Sequence, residues 1–171
     1  MNSIEWNLKN REIAQKLVGL CIERNIRLTA AESCTGGMIS AYITSVPGSS
    51  AVFDGSLVSY ANSVKVQMLG VPQEIIDSRG VVSADAVAYM SKGALRRFEA
   101  DLAIAVSGIA GPGGGTPEKP VGRVYICVRT KDDRKIERFD FSGDREEVRM
   151  ATAYHAMKFA LEMINNGGKS N

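Results

Sequence analysis

A serine followed by a cysteine, a threonine and two glycines is the segment of this sequence best suited to chemistry. Ser33 follows residues 26–31, which predict a short strand, and precedes a helix predicted over residues 38–46. A serine at such a strand-to-helix turn stands at the end of a sheet, and the N–H groups of the turn point toward a ligand. The turn could hold both a nucleophile and an oxyanion site, whereas a glycine-rich turn with polar capping residues is the alternative.

Two residues are candidates for the base that activates this serine. His155 is the single histidine and lies among apolar residues in the last predicted helix, so we interpret it as structural. Lys65 lies on the first turn of a short helix that follows a strand predicted over residues 55–61, and a buried lysine with a lowered pKa can accept a serine proton. If the two strands are parallel neighbours, Ser33 and Lys65 share the carboxyl edge of the sheet, where Tyr60 could relay or orient the proton. An exposed lysine on a surface helix is the alternative.

Cys34 is the rival nucleophile, because thiolates are stronger nucleophiles than hydroxyls. Adjacent side chains in a tight turn point in different directions, so we expect only Ser33 to face the substrate. Arg145 and Arg149 lie four residues apart at the start of the last helix, where guanidinium groups suit a phosphate; a solvated face paired with acidic neighbours is the alternative. The glycine-rich stretch 108–115 lacks the ending of a nucleoside-triphosphate loop, so we do not expect ATP hydrolysis.

The elements that must position these residues alternate along the chain. Helices are predicted over residues 7–24, 38–46, 63–69, 72–79, 83–99 and 144–165, and strands over 26–31, 55–61, 102–106, 123–130 and 135–141. The last two strands are joined by so short a loop that they must be antiparallel. The order predicts a single α/β domain over residues 1–171, a three-layer α/β/α fold with a mixed, mostly parallel sheet that ends in an antiparallel hairpin. Its core spans about residues 8–165, and 166–171 are predicted to form a flexible tail.

Composition agrees with one compact domain and excludes several classes of protein. The 171 residues are 44% apolar and 23% charged, and the net charge of +2 comes from scattered basic residues, so we expect no nucleic acid partner. No apolar run approaches membrane-spanning length, and we expect no membrane association. The cysteines Cys21, Cys34 and Cys127 fit neither a disulfide framework nor a zinc site, and we expect a reducing cytoplasm, with no metal and no cofactor.

Five short blocks occur in an order typical of one protein family. They are residues 31–37 (AESCTGG), 47–50 (PGSS), 59–62 (SYAN) with Lys65, 107–112 (SGIAGP) with 119–122 (KPVG), and 141–145 (FSGDR) with 148–149 (VR). From about residue 11 to about residue 163 the chain therefore resembles the competence/damage-inducible (CinA) family, in the stand-alone form of its C-terminal domain. Many members carry an N-terminal molybdopterin-binding-like domain, for which we expect no room in this chain.

The resemblance implies an enzyme that deamidates nicotinamide mononucleotide to nicotinate mononucleotide in pyridine nucleotide salvage. It implies a homo-oligomer, dimer or trimer, and the same α/β/α architecture. It assigns catalysis to Ser33 as nucleophile, Lys65 as base and Tyr60. The residues that it implies for substrate binding are Glu32, Thr35, Gly36, Gly37, Ser49, Asn62, Ser107, Gly108, Arg145 and Arg149. Residues 63–64 (Ser-Val) depart from the pattern expected beside the lysine.

Two other functions stay open at the level of the sequence. A non-catalytic nucleotide- or phosphate-binding regulatory module would use the serine and the glycines only for binding. A role in DNA uptake, which the family name suggests, has no support from the charge distribution. Release of ammonia from nicotinamide mononucleotide discriminates the enzyme from the binding module.

Overall fold

The computed structural model describes residues 1–167, and its elements follow the predicted alternation of helices and strands. The helices are α1 (Ser3–Glu23), α2 (Met38–Thr44), α3 (Asn62–Leu69), α4 (Gln73–Arg79), α5 (Ala84–Arg97) and α6 (Arg145–Gly167), with a short 3₁₀ helix at Ser49–Ala51. The strands are β1 (Leu28–Glu32), β2 (Phe53–Val58), β3 (Leu102–Gly108), β4 (Arg123–Arg129) and β5 (Arg134–Asp140). No helix in residues 1–167 is both long enough and apolar enough to cross a membrane.

The five strands form one mixed sheet in the order β2-β1-β3-β4-β5. β1 is parallel to both β2 and β3, whereas β4 is antiparallel to β3 and to β5. This arrangement confirms the predicted mixed α/β fold with an antiparallel hairpin at one side. It also confirms that β1 and β2 are parallel neighbours, so their carboxyl ends open onto the same edge of the sheet.

Helices cover both faces of the sheet and divide the core into two clusters. α1, α2 and α6 pack on one face, against alternate strand residues such as Ala30, Ile104 and Ile126. α3 and α5 pack on the other face, against small residues that include Ala31 and Ala105. Burial of these apolar side chains is the main stabilising term of such a fold.

A close helix contact positions α3, the helix that contains Lys65. Gly93 of α5 lies so near the Leu69 carbonyl of α3 that a Cβ there would overlap it. The predicted cap at Ser83 is confirmed, since its hydroxyl accepts a hydrogen bond from the Ala86 N–H. α5 is thus anchored at its start, and α3 packs directly on it.

Several element boundaries differ from the prediction. α1 begins at Ser3 rather than at residue 7, because Asn2 and Glu5 form a capping box. β2 ends at Val58, paired with Glu32 of β1, so Tyr60 lies beyond the strand and not at its end as predicted. α6 continues to Gly167, which places residues 166 and 167 of the predicted tail in a helix. The rest of that tail lies outside the described residues.

Candidate active site

The chain leaves β1 at Glu32 and reverses direction through Ser33 before α2 begins. The Ser33 N–H donates to the Val106 carbonyl of β3 at 3.1 Å, which fastens the serine to the end of the sheet. Gly36 and Gly37 have φ values of 59° and 96°, and this left-handed region favours glycine. The strand-to-helix turn predicted from the sequence is therefore present, with Ser33 as its first residue.

Glu32 is fully buried and holds this turn from inside the protein. Its carboxylate accepts hydrogen bonds from the Thr35 hydroxyl at 2.7 Å and from the N–H groups of Gly37, Ile39 and Ser40 at 3.0, 3.1 and 2.8 Å. The Ser40 hydroxyl adds a fifth bond. A buried carboxylate needs such partners, and the N-terminus of a helix supplies them together with a favourable dipole. Glu32 thus binds the backbone next to the serine.

Lys65 is buried in the first turn of α3, with 1% of its surface exposed. Its Nζ donates hydrogen bonds to the Ser59 carbonyl at 2.6 Å and to the Tyr60 carbonyl at 3.2 Å. Burial lowers the pKa of this amine, because the protein interior disfavours the charged form. The alternative interpretation, an exposed lysine on a surface helix, does not apply to this residue.

One cavity of about 360 Å³ lies at the carboxyl ends of β1 and β3, and more than half of the predicted site residues line it. The predicted site residues that line it are Ser33, Tyr60, Asn62, Lys65, Ser107, Gly108 and Arg145. In residues 1–167 no hydrogen bond joins the Ser33 hydroxyl directly to the Lys65 amine, although both side chains border this space. Catalytic hydrogen bonds are often long in a protein without substrate and shorten in the complex.

The other predicted site residues lie outside the cavity lining. Glu32, Thr35, Gly36 and Gly37 form the turn behind Ser33. Ser49 belongs to the 3₁₀ helix that precedes β2, so it lies at the amino end of the parallel strands, opposite the edge where Ser33 stands. The structure therefore gives the turn residues a supporting position and leaves Ser49 away from the cavity.

The two arginines at the start of α6 are separated by their contacts. Arg145 borders the cavity and donates to the Gly111 carbonyl at 2.6 Å and to the Tyr60 hydroxyl at 2.8 Å. Arg149 instead donates to the Thr35 carbonyl at 2.8 Å, behind the serine turn. The predicted capping box of α6 is present, because Asp144 and Glu147 bond each other's backbone N–H groups. Only Arg145 is therefore placed to meet a ligand in the cavity.

Sequence reasoning missed part of the lining. Val81 and Val82 connect α4 to α5 and form one wall, and the Ser107 hydroxyl fixes this segment through the Val81 carbonyl at 2.7 Å. Apolar residues in a connection have no chemical pattern that would identify them. The lining also includes Gly111 and Gly114, and the glycine-rich composition of their segment was the signal that the sequence offered.

Cys34 lines the same cavity, so the expectation that only Ser33 would face the substrate is wrong, because both side chains of this turn border the space. Burial raises the pKa of this thiol to about 12, so the reactive thiolate is scarce at neutral pH. A serine hydroxyl does not need to be ionised before it attacks, because a neighbouring base removes its proton during the attack. These properties favour Ser33 over Cys34 as the nucleophile.

His155 is a member of an aromatic cluster and does not line the cavity. Its ring packs against Phe139, Phe141 and Tyr154, with centroids 5.1, 5.2 and 5.3 Å away, and against Trp6 at 6.4 Å. Burial lowers its pKa, which favours the neutral ring. This environment agrees with a structural role between β5 and α6.

Comparison with known proteins gives consistent results. A sequence model described as the CinA C-terminal domain matches residues 10–164. The chain is 48% identical over 146 residues, 85% of its length, to a CinA-like protein of Citrifermentans bemidjiense. It is 46% identical over 166 residues, 96% of its length, to one of Mycobacterium sp.. These alignments cover 35% and 38% of the two relatives, so the chain spans less than two fifths of their length.

Solved structures of similar length share the fold. The competence/damage inducible protein CihA from Agrobacterium tumefaciens has a TM-score of 0.89 and 38% identity, with 92% of this chain and 96% of that chain covered. A CinA superfamily protein from Klebsiella pneumoniae has a TM-score of 0.89 and 33% identity, with 92% and 98% covered. With the matched model and the relatives, these similarities show that the chain belongs to the CinA family, as a C-terminal CinA domain.

Proposed function

We propose that this protein hydrolyses the carboxamide of nicotinamide mononucleotide, releasing ammonia and nicotinate mononucleotide. The observation that supports this most strongly is the placement of a serine at a strand-to-helix turn and a buried lysine on the lining of one cavity. Amide hydrolysis needs a nucleophile and a group that first accepts a proton and then donates it. Ser33 and Lys65 are residues of these two types.

The buried amine has the partners that a neutral base needs. A neutral lysine has two N–H bonds and one lone pair, and the Ser59 and Tyr60 carbonyls accept two hydrogen bonds from Nζ. In the proposed mechanism the lone pair is left to accept the proton of the Ser33 hydroxyl. The lowered pKa makes this neutral form accessible at a lower pH than in free lysine.

The proposed reaction then proceeds through an acyl-enzyme. The Ser33 oxygen attacks the carboxamide carbon, and the Cys34 N–H, next to the nucleophile in the turn, is the donor that we expect for the oxyanion. Protonated Lys65 returns its proton to the departing ammonia. A water molecule, deprotonated by the same lysine, hydrolyses the ester and frees the carboxylate of the product.

The cavity has features that suit a mononucleotide. Its volume of about 360 Å³ is within the usual range for small-molecule sites. In the proposed binding mode Arg145 contacts the 5′-phosphate, because guanidinium groups bind phosphate oxygens through two N–H donors. In this mode the Tyr60 hydroxyl, which accepts a hydrogen bond from Arg145, lies beside the phosphate end of the substrate. We also propose, from the family resemblance, that the enzyme is a homo-oligomer acting in pyridine nucleotide salvage.

Ammonia release from nicotinamide mononucleotide by the purified protein tests the proposal. We expect turnover by the wild type and by Ser50→Ala, a control at an exposed serine, and almost none by Ser33→Ala with substrate binding retained. Binding without ammonia release in the wild type would instead favour a non-catalytic nucleotide-binding module. Equal activity of the wild type and Ser33→Ala would exclude the serine mechanism.

A further inference from the structure

A second pocket, of about 420 Å³, lies between helix α5 and the edge strand β5. It shares no lining residue with the cavity that contains Ser33. The residues that line it are Ala84, Asp85, Ala88, Tyr89, Lys92, Arg129, Arg134 and Ile136. Three of these eight side chains are cationic, and one, Asp85, is anionic.

Two of the cations face each other across the hairpin. Arg129 and Arg134 are directly paired in the antiparallel ladder of β4 and β5, so their side chains emerge on the same face of the sheet. Like charges in directly opposite positions destabilise a sheet. Lys92 of α5 adds a third positive charge on this face. The arrangement therefore has an electrostatic cost that a bound anion would relieve.

No carboxylate in the described part of the chain neutralises this cluster. Within residues 1–167, none of the three cations forms an ion pair. Asp85 is the one acidic residue of the lining, and its carboxylate lies 3.7 Å from the Arg79 guanidinium instead. The charge of the pocket thus remains positive.

Arg129 is held in place by a buried hydrogen-bond chain. Its Nε donates to the Ser91 hydroxyl at 3.1 Å, and Ser91, fully buried, donates to the Ala88 carbonyl at 2.9 Å. The same hydroxyl lies 3.2 Å from the sulfur of Cys127. Because the hydrogen bond to Ser91 fixes Nε, the guanidinium of Arg129 is already oriented before a ligand binds. A preorganised guanidinium loses less entropy on binding an anion than a free one.

We propose that this pocket is a binding site for a phosphorylated small molecule, separate from the active site. Arg129 and Arg134 would contact the phosphate oxygens, and Lys92 of α5 would add a third positive charge near them. Tyr89, 37% exposed on the rim, offers a ring face to an aromatic group of the same ligand. The proposal is independent of the amidase activity, because it rests on residues that the catalytic cavity does not include.

Isothermal titration with inorganic pyrophosphate at about 0.15 M salt tests this site, since screening at that ionic strength removes weak surface attraction. The titration is made on Arg145→Gln protein, so that a phosphate subsite in the catalytic cavity does not contribute. We expect saturable binding of one pyrophosphate per chain. Adding Arg134→Gln should weaken it at least about tenfold, the loss expected for one charge-assisted hydrogen bond.

Lys135→Gln is the matched control. Lys135 follows Arg134 in β5, and its substitution by glutamine also removes one positive charge. Its side chain, however, lies on the opposite face of the sheet, over the Phe159 ring. We expect Lys135→Gln to leave pyrophosphate affinity within about twofold. Equal weakening by both substitutions would reduce the effect to net charge and overturn the proposal. Absence of saturable pyrophosphate binding to the Arg145→Gln protein would also overturn it. If Arg134→Gln then changes the oligomeric mass, this face is a subunit interface instead.

Discussion

Replacing Glu32 by glutamine tests whether this buried carboxylate holds the serine turn or binds substrate. The two oxygens share five donors: one oxygen accepts from Thr35, Gly37 and Ile39, and the other accepts from the N–H and hydroxyl of Ser40. In glutamine one acceptor becomes an N–H donor. The least costly orientation places this nitrogen beside Ser40, whose hydroxyl can turn to donate to Ser56 Oγ at 2.7 Å. The Ser40 N–H then has no acceptor.

The magnitude follows from these contacts. A buried N–H without a partner costs about 1–3 kcal/mol. Loss of the negative charge at the start of α2 costs about 1–2 kcal/mol more in a buried setting. We therefore expect Glu32→Gln to lower the free energy of unfolding by about 3 kcal/mol. For a protein of this size that corresponds to a fall of about 6–12 °C in the melting temperature.

Urea unfolding and steady-state kinetics measure the two consequences. Because Glu32 precedes Ser33 directly, the loosened turn should also lower kcat, with little change in the KM for nicotinamide mononucleotide. Glu118→Gln, at an exposed loop position, is the control and should stay within about 0.5 kcal/mol of the wild type. A raised KM with unchanged unfolding free energy would refute this reasoning and return Glu32 to the substrate contacts.

Three further predictions concern the proposed chemistry. kcat/KM should rise with pH, with a midpoint below the pKa of free lysine, because burial of Lys65 disfavours its cation and the neutral base forms at lower pH. Lys65→Met should remove this rise and most of the activity. If the variant keeps the rise, another residue is the base. Cys34→Ala should keep substantial turnover whereas Ser33→Ala should not, with ammonia release as the measurement; the reverse result would exchange their roles. Arg145→Ala should raise the KM for the nucleotide but hardly change the weak rate on nicotinamide riboside. Arg149→Ala should lower kcat for both substrates, because it releases the Thr35 carbonyl behind the serine turn. Equal effects of the two substitutions would contradict these separate roles.

Local patterns were sufficient for much of the fold, and together with the family resemblance they identified Ser33 and Lys65 as candidates for the site. Apolar periodicity and capping residues identified the six α-helices and five strands of residues 1–167 but not the short 3₁₀ helix at Ser49–Ala51. The parallel pairing of β1 and β2 meets the condition under which Ser33 and Lys65 share an edge. Boundaries shifted by a few residues where a cap or a ladder partner took over, as at Asn2 and at Val58. The capping box that opens α6 was visible as a spacing of three residues.

Contacts between distant segments were not encoded in any local pattern. Arg145 and Arg149 are equivalent by spacing, yet one reaches Tyr60, 85 residues away, and the other reaches Thr35, 114 residues away. Ser49 belongs to one of the blocks on which the family resemblance rests, but the direction of β2 places it at the other end of the sheet. Which member of a motif borders the cavity depends on strand order and helix packing.

The sequence by itself determined that a serine stands at a strand-to-helix turn and that a lysine follows the second predicted strand, because backbone conformation and periodicity are local properties. Only the tertiary structure decided that the lysine is buried with two carbonyl partners, that Glu32 turns inward to the start of α2, and that Arg129 and Arg134 converge on a second pocket. Burial and charge depend on which distant surfaces close over a residue. Those surfaces are brought together by packing of the whole chain, and they set both the pKa of a base and the role of a carboxylate.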